Sequence, residues 1–215
     1  MSGPILVVNP NSNPAVTAGM DEALAPYRLP GGPVIECVTL ADGPFGIESQ
    51  ADAQNAIAPL MALVQARADA GAIVIACYSD PGLDVCRSLT AAPVFGIQEA
   101  GVLTAMARAD RFGVIAVADG SIPRHRLALR RMGVLGRLAG ERAVNLSVDQ
   151  TARPEAFDRL AEVGRALRAD GAEALVLGCA GMACHQAPLA RALGLPVIDP
   201  VRAAVAMALG TLLAG

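Results

Sequence analysis

The segment Arg67-Ala68-Asp69-Ala70-Gly71-Ala72-Ile73-Val74-Ile75-Ala76-Cys77 has an echo in Arg168-Ala169-Asp170-Gly171-Ala172-Glu173-Ala174-Leu175-Val176-Leu177-Gly178-Cys179, about a hundred residues further on. Each copy reads as the end of a helix, a glycine stop, a continuous apolar strand and a thiol at the strand's carboxyl tip. Two related halves facing each other would present Cys77 and Cys179 to one cleft. Such a pair could take a proton from one face of a carbon and return one to the other.

The rest of the chain extends the duplication. In the first half, Ile5–Val8 predicts a buried strand. The turn Asn9-Pro10-Asn11-Ser12 follows, and Asn13-Pro14 opens a helix to about Ala25 by N-cap and N1 proline. A strand is expected over Val34–Leu40, a helix over Ser49–Ala70, a helix start at Asp80-Pro81 and a short strand over Pro93–Ile97. In the second half the corresponding expectations are a strand over Phe112–Val117, a helix opened by Pro123, a strand over Ala143–Val148, a helix over Thr151–Ala169 and a strand over Pro196–Asp199. Strand and helix in alternation, with strands apolar on both faces, predict an α/β fold. The reading is two pseudo-symmetric lobes, each a parallel sheet flanked by helices, with the active site in the cleft between them. The first lobe is expected over residues 1–98, completed by a C-terminal helix over 199–215, and the second over 99–198.

Bulk composition narrows the function classes. The 215 residues are 53% hydrophobic and 17% charged, which is a globular and not a disordered balance. A net charge of −3 offers no footprint for nucleic acid or an anionic membrane, and 3% aromatics offer no stacking platform for bases. The most apolar stretch, from Ala203, is too short to span a bilayer, and Met1-Ser2-Gly3-Pro4 does not read as an export signal. The expected setting is cytoplasmic, with the five cysteines reduced. Ala/Leu-rich helices with few charges suggest a homo-oligomer.

In open parallel sheets ligands collect beyond the carboxyl ends of the strands. Four tips qualify: Asn9–Asn13, Cys77–Asp80, Asp119–Ser121 and Cys179–Met182. Each precedes a helix start, where free N–H groups favour anions and push a cysteine toward thiolate. Cys37 and Cys86 read as inert core residues, and Cys184 with His185 matches no usual zinc spacing. His125, inside Arg124-His125-Arg126, reads as part of a solvated basic face without a chemical role. Asp80 is most simply an N-cap, with polarisation of a thiol as the sharper alternative. Asn9 and Asn11 either bond their own turn or touch substrate. Gly178 and Gly181 either serve turns or admit a substrate close to the backbone. Neither a dinucleotide glycine fingerprint nor a P-loop lysine is present.

Val8-Asn9-Pro10-Asn11-Ser12, Ala76-Cys77-Tyr78-Ser79-Asp80-Pro81-Gly82-Leu83 and Val176-Leu177-Gly178-Cys179-Ala180-Gly181-Met182 resemble the cofactor-independent aspartate/glutamate/hydantoin racemase superfamily, in particular its hydantoin and allantoin branch. Gly43-Pro44-Phe45-Gly46-Ile47-Glu48-Ser49 is similar to the family's substrate-side loop. The resemblance implies a two-lobed α/β fold, neither pyridoxal phosphate nor metal, and Cys77 and Cys179 as the acid/base pair. It also implies that Asn9, Asn11, Phe45, Ser79, Asp80, Gly178 and Gly181 line the substrate pocket. Ala118-Asp119 departs from the family, which often has threonine at that tip. The expected activity is racemisation at C5 of a 5-substituted hydantoin or allantoin, a small-molecule substrate. Aspartate or glutamate racemisation and maleate isomerisation are alternatives within the superfamily, and a two-lobed binding module is the alternative outside enzymes. The lack of Lys or Arg at the four tips favours a neutral ring over an amino acid.

Overall fold

The computed structural model describes residues 3 to 214; Met1, Ser2 and the last position of the expected C-terminal helix, Gly215, lie outside the described residues. The first half contains β1 (Ile5–Asn9), α1 (Pro14–Ala23), β2 (Ile35–Thr39), α2 (Gln50–Asn55), α3 (Ile57–Ala66), β3 (Ala72–Ile75), α4 (Leu83–Leu89) and β4 (Val94–Gly96). Helix α5 (Ile97–Met106) leads into β5 (Phe112–Ala116), α6 (Ile122–Arg131), β6 (Leu138–Ala143), α7 (Val148–Thr151), α8 (Phe157–Ala169), β7 (Ala174–Gly178), α9 (Gln186–Leu193), β8 (Val197–Ile198) and α10 (Pro200–Ala214). The two four-stranded sheets run β2-β1-β3-β4 and β6-β5-β7-β8, all parallel, so the second repeats the first strand for strand.

The continuous apolar strands are explained by their two covered faces. Ile5 and Val7 of β1, Val74 of β3, Val114 of β5 and Val176 of β7 all enter one central core with Val102 of α5 and Val205 of α10. The alternate residues Leu6, Val8, Ile73 and Ile75 pack outward against Leu60 and Val64 of α3. On the second sheet Ile115, Leu175 and Leu177 pack outward against Leu160 and Leu167 of α8. Each fully buried side chain of this size stabilises the fold by roughly 1.5–3 kcal/mol. The core shared through α5 and α10 holds both sheets with their carboxyl ends toward a common region.

Several sequence-based expectations shift. The single helix over Ser49–Ala70 is two, α2 and α3, separated at Ala56. Pro59 lacks an N–H and its ring opposes the carbonyl four residues back, so it sits in the first turn of a new helix. The strand expected over Ala143–Val148 is β6, Leu138–Ala143, a half-buried edge strand that carries Glu141 and Arg142. Residues 144–147 instead lead to a capping box, in which Ser147 and Gln150 satisfy each other's backbone N–H groups. The long helix of the second half begins at Phe157 rather than Thr151, since Pro154 again restarts the chain.

Asp80 does not cap the helix that follows it. Helix α4 starts after Gly82, whose φ of 68° occupies the left-handed region, and Asp80 itself has φ 43°. The Asp80 carboxylate accepts from the N–H groups of Gln98 and Glu99, both at 2.9 Å, and so caps α5. Gly96 makes this possible, because a Cβ there would collide with the Asp80 carboxyl group.

Candidate active site

Both repeated strands stop just short of their cysteines. Past β3 the Ala76 N–H still bonds Val8 O at 2.8 Å, and then the chain turns, with Asp80 N–H donating to Cys77 O at 2.9 Å. Past β7, Cys179 remains extended at φ −159° and its Sγ accepts the Gly181 N–H at 3.4 Å. The two thiols line one cavity of ≈ 520 Å³, measured with its solvent-open mouth. Asn11, Ser79 and Gly178 line it with them, as do Tyr78, Arg124 and His125.

Burial pushes the Cys77 thiol up to about 12; the Ser79 N–H and the Arg124 guanidinium oppose that rise, and negative charge on Cys179 adds to it. The Cys179 thiol is likewise raised by burial, against the lowering effect of the Gly181 N–H and the Thr151 side chain. The expectation that helix starts would hold both cysteines toward thiolate is therefore corrected: removal from water outweighs the few N–H donors at each tip. Coupling between the sulfurs means that ionising one opposes ionising the other. A pair so coupled favours one thiol and one thiolate over two thiolates.

The remaining expected residues divide by position. Asn9 is buried behind Asn11, donating from Nδ2 to Asn11 Oδ1 at 2.9 Å, Asn13 O at 3.1 Å and Thr17 Oγ1 at 3.1 Å, so it braces the turn and does not line the cavity. Phe45 is 71% exposed and lies outside the cavity lining. Asp80 is turned toward α5. Gly181 acts through its N–H on Cys179 rather than as a cavity wall. At Gly178 a Cβ would stand 2.6 Å from Ile115 O, so the close approach of β5 requires glycine there.

His125 and Arg124 overturn two expectations. His125 is 2% exposed; its Nδ1 lies 2.6 Å from Glu141 Oε1, and its ring meets Tyr78 edge-on at 5.0 Å. It faces the interior together with Leu129, four residues later, a helical spacing that was readable in the sequence. Arg124, in the first turn of α6, donates from Nε to Ser79 Oγ at 2.8 Å and from Nη1 to Glu48 O at 3.3 Å. A cation does therefore reach the strand tips, carried by a helix and not by a strand. Glu48 lines the same cavity, and its negative charge acts on Cys179. His185, by contrast, is buried away from it, Nε2 at 3.1 Å from Thr151 O, and among the described residues no group of three or more His, Cys, Asp or Glu side chains could hold a metal ion. No helix among them is long and apolar enough to cross a membrane.

Comparison with known proteins bears on this site. The family model of Asp/Glu/hydantoin racemases matches residues 5–208. The hydantoin racemase of Paenarthrobacter aurescens is 38% identical over 217 residues, covering 95% of this chain and 89% of that protein. Among solved structures, the allantoin racemase of Klebsiella pneumoniae superposes with a TM-score of 0.91 at 33% identity, over 99% of this chain and 88% of the other. The allantoin racemase of Pseudomonas fluorescens gives the same TM-score at 29% identity, over 98% and 91%. With the duplicated sheets, the paired strand-tip thiols and a match along nearly its whole length, the chain belongs to the Asp/Glu/hydantoin racemase family.

Proposed function

We propose that the protein is an isomerase, a racemase that inverts the C5 carbon of a 5-substituted hydantoin or of allantoin through Cys77 and Cys179. One sulfur, as thiolate, takes the C5 proton and becomes a thiol. The electron pair left at C5 spreads onto the C4 carbonyl oxygen. The opposite thiol then gives its proton to the other face of C5 and becomes the thiolate. The two sulfurs have exchanged protonation states, so each serves one direction of inversion. A planar ring with an acidic C5–H between a carbonyl and a nitrogen suits two bases on opposite faces.

The observation that carries this reading is the pair of thiols lining one cavity, and the names of the relatives support the ring substrate. Arg124 favours a second reading, an amino-acid substrate whose carboxylate it would receive. The Glu48 carboxylate in the same cavity opposes that reading, since it would repel a dicarboxylate such as aspartate or glutamate. The neutral ring is therefore preferred. The test is exchange of the C5 proton in D2O, with circular dichroism to follow inversion, on allantoin, substituted hydantoins, aspartate and glutamate. Cys77→Ser and Cys179→Ser should each lose inversion by roughly 10²–10⁴-fold. Parent-like inversion by both single variants would refute the assignment.

A further inference from the structure

The mechanism leaves open what receives the charge that develops on the C4 oxygen. We infer that the first turn of α6 is the oxyanion receptor of this site, with Arg124 and His125 as its two donors and Glu141 positioning His125. The inference rests on the racemase reading above.

Three observations carry it. First, Arg124 lines the cavity and is half-buried, yet its hydrogen bonds go only to Ser79 Oγ, Glu48 O and Gly120 O. None of these is an anion, and among the described residues Nη2 donates to nothing. A guanidinium that lines the cavity with Nη2 unused can receive negative charge that develops there.

Second, His125 lines the same cavity one residue on, and its partner Glu141 has a side chain with 0% exposure. Nδ1 is taken up by Glu141 across the 2.6 Å contact, so Nε2 is the ring nitrogen left for the cavity. The proposed role puts a hydrogen on Nε2, which accepts or gives no hydrogen bond to protein among the described residues.

Third, the turn is fixed against the Cys77 tip at successive residues. Arg124 Nε holds Ser79 Oγ, the His125 ring stands edge-on to Tyr78, and Gln98 of α5 donates to His125 O at 3.2 Å. Donors held before the reaction begins need not reorganise during it, which is what an oxyanion receptor requires.

The experiment measures kcat and KM for C5 exchange on hydantoins whose C5 substituents span a range of C5–H acidity, for the parent, Arg124→Ala, Arg124→Lys, His125→Leu and Glu141→Gln. Losing one donor should lower kcat by roughly 10²–10³-fold with KM changed only a few-fold. The losses should grow as the C5–H becomes less acidic, because such substrates rely most on the receptor. Arg124→Lys should lose less than Arg124→Ala, and guanidinium ion should partly restore the alanine variant. A variant damaged only in its fold would instead lose the same factor on every substrate. Equal factors across the series, or kcat within about threefold of the parent for both Arg124→Ala and His125→Leu, would overturn the assignment of α6 while leaving the thiol mechanism intact. If the parent exchanges no ureide C5 proton at all, the racemase reading fails and this inference fails with it.

Discussion

The two halves repeat one skeleton and furnish it with opposite chemistry. After β1, the first strand of the first half, the turn carries Asn9, Asn11 and Asn13, whose amides bond one another and the backbone. After β5, its counterpart, the chain carries Arg124 and His125, with unused hydrogen-bonding capacity toward the cavity. Only the cysteines at the third strand of each half are alike. Duplication thus supplies a matched pair of sulfurs, which suits the proposed inversion at one carbon. Divergence supplies an asymmetric surround, which suits the proposed ring with a carbonyl on one side.

The sharpest way to break this comparison is to remove one sulfur at a time and read stereochemistry. With Cys179→Ser, the thiolate that remains can remove a C5 proton from one enantiomer and return deuterium to the same face. With Cys77→Ser, the other enantiomer should exchange instead. Inversion falls by roughly 10²–10⁴-fold in both, but the retained exchange is of opposite hand in the two variants. Exchange of the same enantiomer by both variants would mean that the sulfurs do not stand on opposite faces.

A smaller effect separates the glycines of the repeated motif. At Gly71 a Cβ would collide with the backbone carbonyl of Gly3, whereas at Gly171 φ is 94° and the nearest atom, at 3.0 Å, is the movable Arg111 Nη1. The same letter in the repeat answers close chain passage in one half and backbone handedness in the other. Gly71→Ala should cost about 2–4 kcal/mol, since backbone must move. Gly171→Ala should cost about 1–2 kcal/mol, the price of an alanine in left-handed backbone. Denaturant unfolding midpoints measured side by side check the order, and reversal would show that the N-terminal segment yields easily.

What was legible in the sequence follows from the same contrast. The central strands β1, β3, β5 and β7 are buried on both faces, so they announce themselves as unbroken apolar runs, and with them came the fold and the thiol pair. The edge strand β6 did not, because Gly140, Glu141 and Arg142 break its apolar pattern and pairing with β5 decides its register. Arg124-His125-Arg126 read as a wet face because Glu141, which His125 contacts, is sixteen residues away on that unread strand. Asp80 read as a local cap because Gln98 and Glu99, which it bonds, lie eighteen and nineteen residues on. His125 and Asp80 are polar residues whose partners are remote in sequence, which is why local reading misplaces them.

The subtlest expected difference concerns how each half caps its central helix. Helix α10 is capped from next door, by Asp199 Oδ1 accepting the Val201 N–H at 2.9 Å, whereas α5 is capped from across the fold by Asp80. Burial raises both carboxyls, that of Asp80 to about 7, against the lowering effect of the Gln98 and Glu99 N–H groups. A carboxyl with a raised folded pKa binds its proton more tightly folded than unfolded, so its contribution to stability is lost as pH climbs. For Asp80 the window runs from its ordinary value of 3.8 up to about 7. Solvent screening at this partly exposed group keeps the effect on the order of 2 kcal/mol. Asp80→Asn should flatten the unfolding free energy across that window. Because Asp80 sits three residues from Cys77, it should also lower racemisation. Asp199→Asn should flatten the curve too but leave catalysis near the parent rate, since Asp199 lies outside the cavity lining. Urea titrations between pH 4 and 8, paired with C5 exchange rates, decide it: equal catalytic losses in the two variants would show that the Asp80 cap has no special tie to the thiol loop.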